Sequence, residues 1–196
     1  MAALILTVTV LMAAAGLTGA SANQVPGSPS GPETFQVTGT LTGEGAVAGA
    51  VTITMTLRLD QYTPERAKVT MTDALKYRGY PGFLLALREA PVIGSLDIAD
   101  QKFLVRWANQ DATPTGRTIT IVTEKPVFFF GARKPNAKST AGYEVAVMKI
   151  DVDREGRGDG VMAAAARVKP NGSGGVIIDQ YAETPLKLAV VRQPAK

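Results

Sequence analysis

The stretch Val47 to Asp60, VAGAVTITMTLRLD, constrains this chain more than any other, because apolar and polar residues alternate through it without a slip. Val47, Gly49, Val51, Ile53, Met55, Leu57 and Leu59 fall on one side, and Thr52, Thr54, Thr56, Arg58 and Asp60 on the other. Side chains on a strand point to opposite faces with period two, so the pattern predicts a β-strand with one buried face and one wet face. Such a strand needs a sheet to bury its apolar side. Phe35, Val37 and Leu41, set among Gln36, Thr38, Thr40 and Thr42, supply a first partner, joined through Gly43-Glu44-Gly45-Ala46 as a hairpin turn. These glycines do not make a nucleotide fingerprint. That loop requires a helix whose N-terminus holds phosphate, and here a second strand comes next.

After Tyr62 the period changes. Thr63-Pro64-Glu65 offers a hydroxyl N-cap, proline at the first helical position and an acid in the first turn, which predicts a helix from Pro64 to Tyr77 ended by Gly79. Pro81 to Glu89 reads as a second short helix with Phe83, Leu84 and Leu87 on one face, stopped by Pro91. The pair forms a helical hairpin able to cover one face of the sheet. Strands resume at Gly94 to Ile98 and Phe103 to Ala108, around a turn at Ala99 to Lys102, with Phe103, Val105 and Trp107 expected on one face and the sole tryptophan in the core. Thr118 to Thr123 is a further strand. A meander closes the chain: Tyr143 to Val152, Gly160 to Lys169, Val176 to Tyr181 and Leu186 to Val191. The run Ala163 to Ala166 reads as strand, because Gly160 and Pro170 bracket it, and its small side chains would let the helices approach closely. The expected fold is therefore α+β, a mostly antiparallel twisted sheet of eight or nine strands packed by one helical hairpin, as a single domain over residues 33–192.

Ahead of that domain, residues 1–22 form an apolar run ending in Ala20-Ser21-Ala22, the small-x-small pattern of a cleavable signal peptide, with a membrane anchor as the alternative. Residues 23–32, NQVPGSPSGP, read as an extended tether. Export to the periplasm or beyond the cell is the expectation, with membrane contact only through the signal segment if it is not cleaved. The chain has no cysteine and no histidine, which excludes disulfides, thiolate chemistry and every Ser-His-Asp or Cys-His arrangement. A net charge of +4 without a basic run argues against nucleic acid as a partner. No cofactor is implied.

Taken together, the TPER helix start, the LLALREAP helix end, KPVFF, AGYEVAVMKIDVD and IIDQYAETPLKL resemble a set of predicted exported proteins of soil bacteria known only as hypothetical proteins. The resemblance spans nearly the whole mature chain. It implies secretion and a shared α+β domain, and it assigns no activity and no site residue.

Three local patterns could carry function. Phe128-Phe129-Phe130 must point to both faces of a strand, so it is either core or, with Leu84 and Trp107, the wall of an apolar ligand site or a partner surface. Asp151, Asp153, Glu155 and Asp159 begin like a calcium loop, with Gly156 at the sixth position, but Met162 stands where the bidentate Glu belongs, leaving a charged hairpin or a weak surface calcium site. Arg157-Gly158-Asp159 within that loop spells an integrin-type tripeptide of low specificity. Tyr143 and Tyr181 could line a saccharide-binding face or be half-buried strand residues. The leading expectation is an exported, non-enzymatic domain that binds an apolar ligand or an envelope protein between helices and sheet. The alternatives are a carboxylate-dependent hydrolase of envelope polysaccharide, for which Asp97, Asp100, Asp179 and Glu183 lie nearest apolar strand ends, and a structural envelope component.

Overall fold

β1 (Glu33–Leu41) and β2 (Val51–Leu59) pair antiparallel along their full length, Glu33 opposite Leu59 and Leu41 opposite Val51, as the alternation of both segments requires. The structure is a computed structural model that describes residues 31–41, 51–127, 141–171, 175–182 and 184–194. The expected signal segment, nearly all of the tether, the turn at Gly43 to Ala46, and Val47 and Gly49 lie outside the described residues. A bent helix α1 (Glu65–Glu89) comes after β2, then β3 (Gly94–Ile98), β4 (Gln101–Ala112), β5 (Gly116–Thr123), β6 (Val145–Asp153), β7 (Arg157–Pro170), β8 (Val176–Tyr181) and β9 (Leu186–Arg192).

Every strand pairing is antiparallel, in the order β6-β5-β4-β3-β2-β1-β9-β7-β8, and β7 also pairs with β6. That last pairing closes eight strands into a barrel and leaves β8 as a ninth strand attached to β7 alone. The α+β, antiparallel expectation thus holds, and closure is the finding the alternation did not contain. β7 makes both arrangements because it is long. Its first half, Arg157 to Met162, lies between β6 and β9, and its second half runs past the end of β9 and takes β8 instead.

The barrel interior is filled by one face of each strand: Phe35 and Val37, Met55 to Leu59 at alternate positions, Leu96 and Ile98, Phe103 and Val105, Ile119 and Ile121, Met148 and Ile150, Met162, Leu188 and Val190. Eight strands enclose a lumen just wide enough for such side chains. One end is closed by polar groups. Glu33 and Arg117, 2% and 8% exposed in their side chains, form a buried ion pair, and Arg117 Nη1 also donates to Glu33 Oε2 at 3.0 Å and to Gln110 Oε1 at 2.8 Å. Tyr62 donates to Glu33 Oε2 at 2.7 Å. Burial, followed by this bond and the charge of Glu33, raises the Tyr62 phenol well above its ordinary value.

The second core lies outside the barrel. Met71, Leu75, Tyr80, Phe83, Leu84, Leu87 and Ala90 of α1 and its end pack on Trp107, Val122, Val145, Val147, Ala163, Ala166 and Val168. Ala163 and Ala166 lie beneath the helix, as the reading of the alanine run as strand expects. The two helical segments bend at Gly79, whose φ of +66° a side chain would resist, and a Cβ at Gly82 would stand 3.0 Å from the Ala74 carbonyl oxygen. The predicted break is therefore a sharp bend within one element.

Two details depart from the sequence reading. Thr63 does not cap α1: Pro64 is the N-cap residue, and the Thr63 hydroxyl accepts the Ala108 N–H at 2.8 Å, while Thr63 N–H donates to the Ala108 carbonyl at 2.9 Å. β4 continues beyond its last β3 partner, Gly94 opposite Val105, so its exposed backbone groups need the segment before the helix. The β4 register shifts between Val105 and Trp107, so Phe103 and Val105 point into the barrel while Trp107 points out beneath α1. A β-bulge inserts one residue and reverses the facing of the residues beyond it.

Candidate functional site

The strand register arranges the outward side chains of β4 to β7 in rows. Trp107, Val122, Val147 and Ala163 form the first, apolar row; Asn109, Thr120, Lys149 and Val161 the second; Asp111, Thr118, Asp151 and Asp159 the third. Helix α1 covers the first row, and polarity rises with distance from it. Above the boundary between the first two rows hangs the β7–β8 hairpin, whose Val168 and Val176 join the outer core.

Between that hairpin and the barrel wall lies a groove of about 350 Å³. Its floor includes Trp107, Asn109, Thr120, Val147, Lys149 and Val161, and its far wall is built from Asn171, Gly175 to Ile178 and Tyr181. The volume falls at the low end of the range of about 300–1,000 Å³ for small-molecule sites. Trp107 is 1% exposed, and its indole Nε1 is a buried donor with no hydrogen-bond partner among the described residues. Such a group normally finds an acceptor. Lys149 is exposed at the mouth, and no described carboxylate lies in ion-pair range of it. On the opposite side Lys68 Nζ donates to Asn109 Oδ1 at 3.0 Å, and Asn109 Nδ2 donates to Asp111 Oδ2 at 3.1 Å, which fixes the amide and the acid at the rim.

The expected site residues distribute unevenly around this groove. Trp107 is in it. Leu84, 8% exposed, is packed in the seam between α1 and the barrel, so the helix–sheet interface is occupied by the protein's own side chains. Phe128, Phe129 and Phe130 lie outside the described residues. Of the saccharide-face pair, Tyr181 lines the groove, and Tyr143 lies outside its lining, where it donates to Gln180 Oε1 at 2.7 Å.

The candidate calcium ligands Asp151, Asp153, Glu155 and Asp159 lie along the hairpin that joins β6 and β7. Asp151 and Asp159 face one another across β6 and β7, Asp153 Oδ1 accepts the Arg157 N–H at 2.8 Å within the turn, and Glu155 is exposed at its tip. A strand hairpin spreads alternate side chains along its length, whereas a calcium loop curls them around one point. Among the described residues no three acids are placed to share a metal ion. Arg157-Gly158-Asp159 lies within β7, with Gly158 paired to both Val152 and Val190, so the tripeptide is part of the barrel wall rather than a projecting loop. Asp97 lies near Arg58 and Lys102 at 3.9 and 3.8 Å, and Asp179 pairs with Lys169 at 3.0 Å.

Lys149, Asn109, Asp111 and Val161 were not singled out by sequence reasoning, because each is an ordinary member of an alternating strand. The available signal was Lys149 itself, one cation in the otherwise apolar run Val145 to Ile150. Among the described residues no helix is long and apolar enough to cross a membrane. Comparison with protein-family models, curated proteins and solved structures found no match.

Proposed function

We propose that this chain is an exported, non-enzymatic binding domain whose ligand occupies the groove between the β7–β8 hairpin and the outer wall of the barrel. The observation that carries the reading is Trp107: a buried indole with an unpartnered Nε1, bordering a cavity large enough for a small molecule. The barrel is filled and the helix seam is packed, whereas the groove leaves room for a ligand. A polysaccharide hydrolase is less well supported. Asp111 is the one carboxylate among the groove-lining residues, and a glycosidase of the usual kind flanks its substrate with two.

Trp107 is the only tryptophan in the chain, so its emission reports on the groove without a label. The test is native mass spectrometry of the mature protein purified gently from its host, followed by denaturing release and add-back of whatever co-purifies. The expected result is a stoichiometric small molecule that shifts Trp107 emission on return. A bare chain whose emission no small-molecule extract of the host shifts overturns the proposal.

A further inference from the structure

We infer that the groove is selective for a small amphiphile with a single carboxylate: an apolar body lying against Val147, Val176 and Trp107, and an anionic head at Lys149. The inference rests on the proposal that the groove is a binding site and adds the chemical class of its occupant.

The apolar end sets where the body of such a ligand lies. Trp107 and Val147 belong to the outward row that α1 covers, and the hairpin brings Val176 against the same row. A ligand's apolar part seated there continues an existing apolar core and meets the apolar side chains left open in the groove, Ile177 exposed and Val161 and Ile178 half-buried. One register step away, next to Thr120, Lys149 presents an ammonium with no described carboxylate in ion-pair range. Among the groove-lining residues Lys149 is the one cation. A carboxylate matches this ammonium, because it accepts hydrogen bonds only and carries the opposite charge. A cationic head has no comparable place at that end.

Asp111 restricts the class further. Held by the Lys68–Asn109 chain at the rim, it adds a negative charge on the side of the groove opposite Lys149. A head bearing two charges, such as phosphate, would gain from one lysine while meeting that repulsion. A single carboxylate is balanced one to one by Lys149, the one cation among the groove-lining residues, and costs less to desolvate than a doubly charged head. The volume of about 350 Å³ limits the body to a short chain or a single ring system.

The test titrates the full mature chain with octanoate, octanol, octylamine and inorganic phosphate, read by Trp107 emission and by calorimetry. Octanoate is expected to bind most tightly, octanol about fivefold more weakly, octylamine more weakly still, and phosphate not measurably. Lys149→Gln is expected to erase the difference between octanoate and octanol while leaving octanol binding unchanged. Lys149 is exposed on the outer wall, so this variant keeps the fold, and an unchanged thermal transition verifies it. Octanol or octylamine binding as tightly as octanoate, or octanoate preference surviving Lys149→Gln, overturns the carboxylate class and leaves the groove standing as a site. If neither octanoate nor octanol binds, the carboxylate class is overturned too, and an add-back ligand from the host that still shifts Trp107 shows that the groove itself survives.

Discussion

The inner and outer faces of the same strands end in opposite states. Inward, side chains from all eight barrel strands meet and fill the lumen, and Glu33 with Arg117 and Tyr62 closes one end. Outward, α1 covers only one row across β4 to β7, and the β7–β8 hairpin stands off the next row and leaves a groove. A barrel of eight strands has a lumen that either holds one ligand or is filled by its own residues. Here it is filled. The space for a ligand is created by the strand that outruns its partner: β7 runs past the end of β9, stays paired with β6 as far as Ala166, and takes β8 on its other edge.

The largest expected effect breaks the inner side of this comparison. Glu33→Ala leaves the Arg117 guanidinium, 8% exposed, without its carboxylate. Removing one partner of a buried pair typically costs about 3–5 kcal/mol. Urea unfolding should show that loss as a lowered midpoint at unchanged slope, whereas a cost near that of an exposed pair would mean that water reaches the barrel end. Replacing both charges, Glu33→Leu with Arg117→Met, should recover most of the stability, because the desolvation cost disappears with the pair.

Next in size is the outer core. Leu87 is 0% exposed and packs with Phe83 in the seam over the barrel. Leu87→Ala should cost about 3 kcal/mol through lost burial and the cavity left behind. Hydrogen exchange distinguishes two outcomes. If α1 is a separable layer, its amides lose protection while those of β1 and β2 keep theirs; if both cores unfold as one unit, protection falls equally in both.

Much of the inner side was legible in the sequence, and most of the outer side was not. The period-two pattern of Ile53 to Leu59 fixed which residues face inward, because alternation is a local property. Closure depends on β7 meeting both β6 and β9, pairings that join distant segments and leave no local mark. Trp107 was misfaced because one inserted residue after Val105 reverses a strand without changing its composition. Thr63 carried a sound capping signal, but tertiary need for an acceptor at Ala108 outweighed it. The groove combines residues from β4, β5, β6, β7 and β8; Trp107 and Tyr181 stand out in the sequence, and only the register brings the others to them.

The two regions also differ in how they hold a tyrosine, and alkaline pH reads that difference. Tyr62 belongs to the barrel end, and its phenol is raised by burial and then by Glu33. Tyr80 sits in the outer core, donating to the Ala166 carbonyl at 3.3 Å and accepting the Glu144 N–H at 3.0 Å, and burial raises it too. A phenol with a raised folded value keeps its proton where the unfolded chain, at 10.0, loses it. Stability is therefore complete below pH 10 and falls as pH rises beyond it, by about 1.4 kcal/mol per pH unit for each tyrosine. Tyr62→Phe and Tyr80→Phe should each remove about half of the combined slope. A stability profile that stays flat from pH 10 to 12 would show that both hydroxyls reach water.

The smallest effect is expected at Ile177. It is 43% exposed on β8, one of the groove-wall residues, and β8 pairs with β7 alone, so its other edge is unpaired among the described strands. An exposed isoleucine adds little to folding, and Ile177→Ser should shift the unfolding midpoint by no more than about 0.5 kcal/mol. An apolar side chain on an open edge strand carries a liability of its own, since such edges invite pairing with other chains. If the residue serves the groove, the serine variant should weaken octanoate and octanol alike, because the lost contact is apolar and Ile177 carries no charge. A loss of stability comparable to that of Leu87→Ala would instead place Ile177 in the outer core, and the contrast between a packed seam and an open groove would have to be redrawn on the near side of β8.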